Sequence, residues 1–331
     1  MIRSLLLTAA VGLLAVAPAP QPLTLQGTTP LPAIGAGDFD HFAVDLQRHK
    51  LFVAAEDNGT IETFDLPSGK HLQSVRGVVT PHSFAFIPDK NELFVADGGD
   101  SSVKVFDGTT LHQLARIPVA VDPDGGAYDP ATRLFYVGNQ GKHAHLSSSY
   151  VTIVSVDRRA VVGRIPVPGS TLKAVALDPS TSRLYVSVRD RSRVAVIDTK
   201  RRALVASFSS PYLKSNTPLR VSAGRLFVAG RKPNELVILD ARTGATLQHL
   251  PTVATADELI VDTVHNRVFV TGSSGLDVYR RGSDGRYAFE THYDTHGGKT
   301  SVYIPSLERF YVPFSRTAAP QAGLQIYRVN A

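Results

Sequence analysis

A three-residue signature with a fixed period constrains this chain more than any other feature. Leu51-Phe52-Val53, Leu93-Phe94-Val95, Phe135-Tyr136-Val137, Leu184-Tyr185-Val186, Leu226-Phe227-Val228, Val268-Phe269-Val270 and Phe310-Tyr311-Val312 share one apolar–aromatic–valine pattern. Their valines lie 42, 42, 49, 42, 42 and 42 residues apart, and the long interval holds an insertion around 141–148. A period of this length, repeated seven times, means seven copies of one supersecondary unit.

Each copy contains four short β-branched or aromatic runs separated by turn residues. A run such as Phe42-Ala43-Val44-Asp45 precedes the signature. An alternating run ending in Asp follows it, at 61–65, 103–107, 194–198 and 236–240. A fourth run closes the copy, as at 114–119 or 161–167. Runs of this length and composition are strands. Four antiparallel strands in about 42 residues make one propeller blade. The predicted fold is therefore all-β: a single seven-bladed β-propeller of four-stranded blades. The seventh copy supplies only three strands, at 301–304, 310–312 and 324–327. The run 23–31 is expected to complete that last blade, join the two ends of the ring and leave no lone edge strand. A length of 331 residues would ordinarily suggest two or more domains; the repeat argues instead for one propeller over 21–331.

Residues 1–20 read as a signal peptide. Met1-Ile2-Arg3-Ser4 is followed by an uncharged apolar run over 5–17 and then by small residues. That run is too short to span a bilayer as a helix. The predicted location is the periplasm or the exterior, with cleavage between Pro18 and Leu23. No other stretch is long and apolar enough for a membrane span. There is no Cys, so an exported chain of this kind has no disulfides and depends on core packing.

The aromatic–valine strands, with Asp129-Pro130-Ala131-Thr132-Arg133 and Asp178-Pro179-Ser180-Thr181-Ser182-Arg183 ahead of two of them, resemble the YVTN-repeat β-propeller family of secreted bacterial proteins. The resemblance covers roughly 38–327. It implies the fold and export, and it implies no particular activity, because members bind diverse partners.

In a propeller the first strand of each blade lines the central channel, and ligands sit near the channel mouth. Thirteen residues before each signature valine stand Asp40, His82, Asp124, Lys173, Ser215, Asp257 and Lys299. The fifth copy has a turn two residues shorter, which moves its equivalent from Ser215 to Thr217. His41, Glu258 and Thr300 are next neighbours. The candidate ligand site is thus Asp40, His41, His82, Asp124, Lys173, Thr217, Asp257, Glu258 and Lys299. Opposed charges at close quarters perturb proton affinities, as they do at many functional sites. His41, His82, Asp124 and Asp257 are suitable ligand types for a divalent metal ion. The plainer alternative is a hydrated polar rim.

The loops between second and third strands are acidic in copies one and two (Glu56, Asp57, Asp97, Asp100). They are basic in copies three to five (Lys142, His143, His145, Arg189, Arg191, Arg193, Arg231, Lys232). The predicted face is acidic on one side and basic on the other, and its basic side attracts anions. On an extended segment His143 and His145 can point the same way, but the insertion reads foremost as a simple mobile loop.

Several motifs fail. Gly297-Gly298-Lys299-Thr300 resembles the tail of a phosphate-binding loop, but Tyr293 stands where its first Gly belongs and a strand follows. His292 and His296 have helical zinc spacing without the helix or the intervening Glu. No G-x-S-x-G elbow occurs. The net charge of +6 is spread along the chain without an aromatic platform, which argues against nucleic acid. The absence of Trp argues against WD repeats and against the Trp-docked propellers of quinoprotein alcohol dehydrogenases. The function expected is that of an exported, monomeric, non-enzymatic binding or scaffold protein, with an anionic small molecule or a peptide or protein ligand over the channel mouth. The alternative is a lactonase-like or other metal-assisted hydrolase, with a divalent ion held by His and Asp.

Overall fold

The signature is regular because both faces of its strand are buried. In the computed structural model, which describes residues 21–331 apart from the side chain of His143, the chain forms seven four-stranded antiparallel sheets. The expected signal peptide lies outside the described residues. Six sheets are meanders whose strands follow chain order from the channel outwards. Their innermost strands are Phe42–Asp45, Pro81–Ile87, Pro123–Asp129, Leu172–Asp178, Leu219–Ser222 and Glu258–Asp262. Each of these packs against the next around a central channel. The remaining sheet draws on distant parts of the chain. Val302–Ile304, Arg309–Phe314 and Gly323–Val329 are followed by Leu23–Pro30, which pairs antiparallel with Gly323–Val329. The protein is an all-β seven-bladed propeller. Among the described residues no helix is long and apolar enough to cross a membrane.

Side chains alternate across a strand, so a three-residue signature addresses two neighbours at once. Leu51 and Val53 enter the apolar cluster between the first and last sheets, and Phe52 enters the one between the first and second. Leu93 and Val95 divide from Phe94, and Phe135 and Val137 from Tyr136, in the same way. All of these side chains are buried. Each large apolar side chain contributes about 1.5–3 kcal/mol on burial, so packing alone accounts for the pattern. Where the aromatic residue is Tyr, its hydroxyl needs a partner. Tyr185 donates to the Ala241 carbonyl (2.8 Å) and Tyr311 to that of Leu66 (2.6 Å), each in the adjoining sheet.

The aspartates that end strands hold the turns after them. Asp45 accepts from the amides of Gln47 and Arg48 (both 3.1 Å), and Asp240 from those of Arg242 and Thr243 (3.0 and 2.7 Å). Every outermost strand pairs with a register slip, as between Thr63 and Phe64 or between Val105 and Phe106. Such bulges twist the exposed edge and blunt it against pairing with another chain.

The insertion forms a single 3-10 turn, Lys142–Ala144, followed by the long strands Ser148–Ser155 and Ala160–Pro168. His145 closes the turn in the left-handed region (φ 56°). This segment is not extended, so the alternation that would point His143 and His145 the same way does not operate.

Candidate binding site at the channel mouth

A second register slip recurs at the start of the innermost strands. His82-Ser83, Asp124-Gly125 and Lys173-Ala174 each fall where the pairing shifts, so two residues oppose one on the signature strand. Backbone hydrogen bonds show the same arrangement elsewhere. The Asp40 amide donates to the Ala54 carbonyl (2.9 Å), while the Ala54 amide donates to His41 (3.0 Å). Thr217 and Pro218 share Ala229 identically (3.0 and 3.1 Å). Thr217 therefore occupies in the fifth sheet the place that Asp40 holds in the first. The two-residue shift arises at Ala223-Gly224, a tight turn with both φ positive (47° and 72°). A bulge releases its residues from strict alternation and re-aims a side chain. Polar groups at these positions can then face the mouth and avoid the apolar interfaces between sheets. Gly125 belongs to this geometry, since a Cβ there would lie 2.5 Å from the Lys173 carbonyl oxygen.

Seven of the nine expected residues line one cavity of about 160 Å³: Asp40, His41, Asp124, Lys173, Thr217, Asp257 and Lys299. His82 sits behind it, buried, with Nδ1 2.7 Å from Asp40 Oδ2, 3.9 Å from Glu56 Oε1 and 4.0 Å from Asp124 Oδ2. Glu258 lies in the layer below, lining the wider 710 Å³ channel. It accepts from Arg220 (2.6 Å) and faces His41 Nδ1 at 3.6 Å. Lys173 donates to Asp124 (2.5 Å), as does the Gln140 amide (2.7 Å). Arg231 pairs with Asp257 (2.5 Å), and Lys299 with Asp38.

Glu56, Arg189 and Arg231 also line the cavity and were not among the nine. Each stands three residues after a signature valine, so the same register applied in the forward direction would have found them. The other loop charges serve elsewhere. Asp97 is buried and accepts from the amides of Val79 and Thr80 (2.9 and 2.8 Å) and from Lys104 (2.6 Å). Asp57 accepts from the Asp38 amide (2.8 Å). Arg191, Arg193 and Lys232 are exposed. The mouth carries both signs of charge. Asp40, Glu56 and Asp124 make an acidic side from the first and third sheets. Lys173, Arg189 and Arg231 come from the fourth and fifth, where Arg231 meets Asp257 of the sixth, and Lys299 of the seventh meets Asp38.

Burial disfavours every charge here, and the neighbours decide which survive. Burial opposes the Asp40 carboxylate, yet His41 and the hydrogen bond from His82 hold it well below the usual range. Burial would also lower His82, but Asp124, Asp40 and Glu56 push it up to about 10. His41 rises to about 9 against burial, through Asp40 and Glu258. Glu56 moves the other way. Burial and the charges of Asp40 and Asp124 raise it to about 8, only partly offset by His82 and Lys173. Arg189 is held below the usual guanidinium range by burial and by Arg231. It is also the exception among the cations that line the mouth. It donates to Thr217 Oγ1 from Nε (3.0 Å) and Nη2 (2.8 Å), and no carboxylate of the described residues is within ion-pair reach.

For a cation, the donors of Asp40, Glu56 and His82 all lie within 4.8 Å of one another. Of the four residues singled out as metal ligands from sequence, only His82 belongs to this trio. His41 lies between Asp40 (3.5 Å) and Glu258 (3.6 Å), and Asp257 is paired with Arg231.

These features define a seven-bladed propeller with a small channel mouth lined by charges of both signs. No family model matches the chain, and no curated protein is detectably similar to it in sequence. Solved structures are similar in fold. A chain from Kuenenia stuttgartiensis hydrazine synthase superposes with a TM-score of 0.74 at 15% identity, covering 92% of this chain and 97% of that one. A chain of a mitotic checkpoint complex gives 0.74 at 14% identity, covering 98% and 99%. At such identities the likeness is one of fold alone. The propeller fold fits a binding or scaffold role.

Proposed function

We propose that the protein is an exported, YVTN-type propeller that binds a small anionic ligand at the mouth of its central channel. The single observation that carries this reading is Arg189. Its guanidinium is partly buried, repelled by Arg231, attracted only at longer range by Asp257, Asp124 and Asp40, and hydrogen-bonded only to a neutral hydroxyl. A partly buried guanidinium without a carboxylate is unfavourable until an anion meets it. Lys173, Arg231 and the Thr217 hydroxyl line the same cavity and would share the load. The N-terminal apolar run supports export, and the repeated aromatic–valine strands support the family.

A charge-assisted hydrogen bond is worth about 1.5–3 kcal/mol, so Arg189→Met is expected to weaken binding of short carboxylates such as acetate and butanoate by roughly tenfold or more. Isothermal titration on the two proteins measures this. Equal affinity in both would remove Arg189 from the site, and no binding of any short carboxylate by the native protein would end the reading.

A metal-assisted hydrolase is the second reading, favoured by the convergence of Asp40, Glu56 and His82. It requires His82 Nδ1 to give up its proton to the solvent on ligation, because a metal binds the neutral ring. Elemental analysis of protein purified without chelators, before and after incubation with Zn²⁺ or Mn²⁺, tests it. Retention of less than one ion per ten chains under both conditions would sink it.

A further inference from the structure

We propose that the mouth is built for a small zwitterion, an amino-carboxylate whose carboxylate lies on Arg189 and whose ammonium lies among Asp40, Glu56 and Asp124. This rests on the anion-binding reading above and names the ligand class for the same site.

Arg189 lacks an anion, and Glu56 lacks a donor. The His82 hydrogen bond goes to Asp40, and Asp124 is taken by Lys173 and Gln140. The Glu56 carboxyl accepts no hydrogen bond from any described residue, and its one ionic neighbour, His82, is 3.9 Å away. Both deficits face one cavity of about 160 Å³. That is well below the pockets of drug-sized ligands. Two separate counter-ions would each carry their own hydration into this space. One short molecule bearing both charges satisfies Arg189 and Glu56 together, and a simple carboxylate leaves Glu56 without a partner.

The test is calorimetric titration of the mature chain at pH 7. Glycine, 3-aminopropanoate, 4-aminobutanoate and 5-aminopentanoate are compared with the unsubstituted carboxylates of equal chain length. The expected result is that at least one amino acid of the series binds tenfold or more tightly than its parent carboxylate. In Glu56→Gln the discrimination between amino acid and parent carboxylate is expected to fall below threefold. Its thermal melting curve verifies that it is folded. If amino acids and parent carboxylates bind equally, the zwitterion is overturned and the anion site stands. If Mn²⁺ or Zn²⁺ alone binds, is lost in Glu56→Gln and is indifferent to Arg189→Met, while the amino acids show no advantage, the acidic side is a cation site and the zwitterion is again overturned. If nothing in either series binds, both readings fail together.

Discussion

Burial, with the nearby Asp40 and Asp124 carboxylates, holds the Glu56 carboxyl above its ordinary range, only partly offset by His82 and Lys173. The consequence for stability has a definite sign. Glu56 is raised from 4.5 to about 8 in the folded chain. Its favourable protonated state is fully present below pH 4.5, and folding loses free energy as pH rises through 8. Glu56→Gln is therefore expected to leave the melting temperature unchanged at pH 4.5 and to raise it at pH 9. The gain is on the order of 2 kcal/mol after discounting for partial exposure. Melting curves of both proteins across that range check it, and a pH-independent difference would contradict it. His82 behaves in the opposite sense. Its raised value, about 10, gives stability that is fully present below 6.5 and is lost as pH rises through 10. His82→Asn is expected to cost about 3 kcal/mol at pH 7, because it strands buried carboxylates, and the cost should shrink towards pH 10. Denaturant unfolding at both pH values measures this. A site that holds a group at such expense to the empty fold is arranged for something other than stability.

At the scale of the strand, the bulge carries the site. Binary patterning identified the innermost strands and the register that reaches Asp40, His82, Asp124, Lys173 and Thr217. It did not reveal that the pairing slips there, because a bulge is a property of two strands and the pattern belongs to one. Gly125 is the residue on which the slip in the third sheet depends. Gly125→Ala would drive a methyl to 2.5 Å from the Lys173 backbone oxygen and press the third sheet against the fourth. The expected outcome is a loss of about 1–3 kcal/mol, with weaker carboxylate binding because Lys173 and Asp124 are displaced together. Gly35→Ala is the control. Nothing lies within 4 Å of a Cβ at that position. Chemical denaturation and titration of the two variants should separate them clearly, and equal behaviour would remove the steric argument. The paired histidines of the insertion show the opposite failure. Their alternation was legible, but the 3-10 turn that cancels it comes from local backbone bonding around Gly141.

Across the whole molecule, the sheet that contains both Leu23–Pro30 and Gly323–Val329 links the two parts of the chain farthest apart in sequence. Leu23 and Leu31 are buried, and Leu324 lies in the cluster between the last and first sheets. Deleting 21–31 is expected to lower the melting temperature, to leave Gly323–Val329 as an open edge and to promote association. Light scattering during a thermal ramp reads both effects, and an unchanged melt would mean the strand is dispensable. The sequence by itself determined the period, hence the number of blades, the strand order within each and the inward-facing register. These follow from side-chain alternation within some 42 contiguous residues, a local rule. Only the tertiary structure decided which charges meet. His82 finds Asp40, Glu56 and Asp124, while Arg189 finds only Thr217, although all were visible as members of one repeat. Charge interactions depend on the separations between residues brought together from different blades. Those separations are set by how the sheets close around the channel, and no pattern along a single repeat contains them.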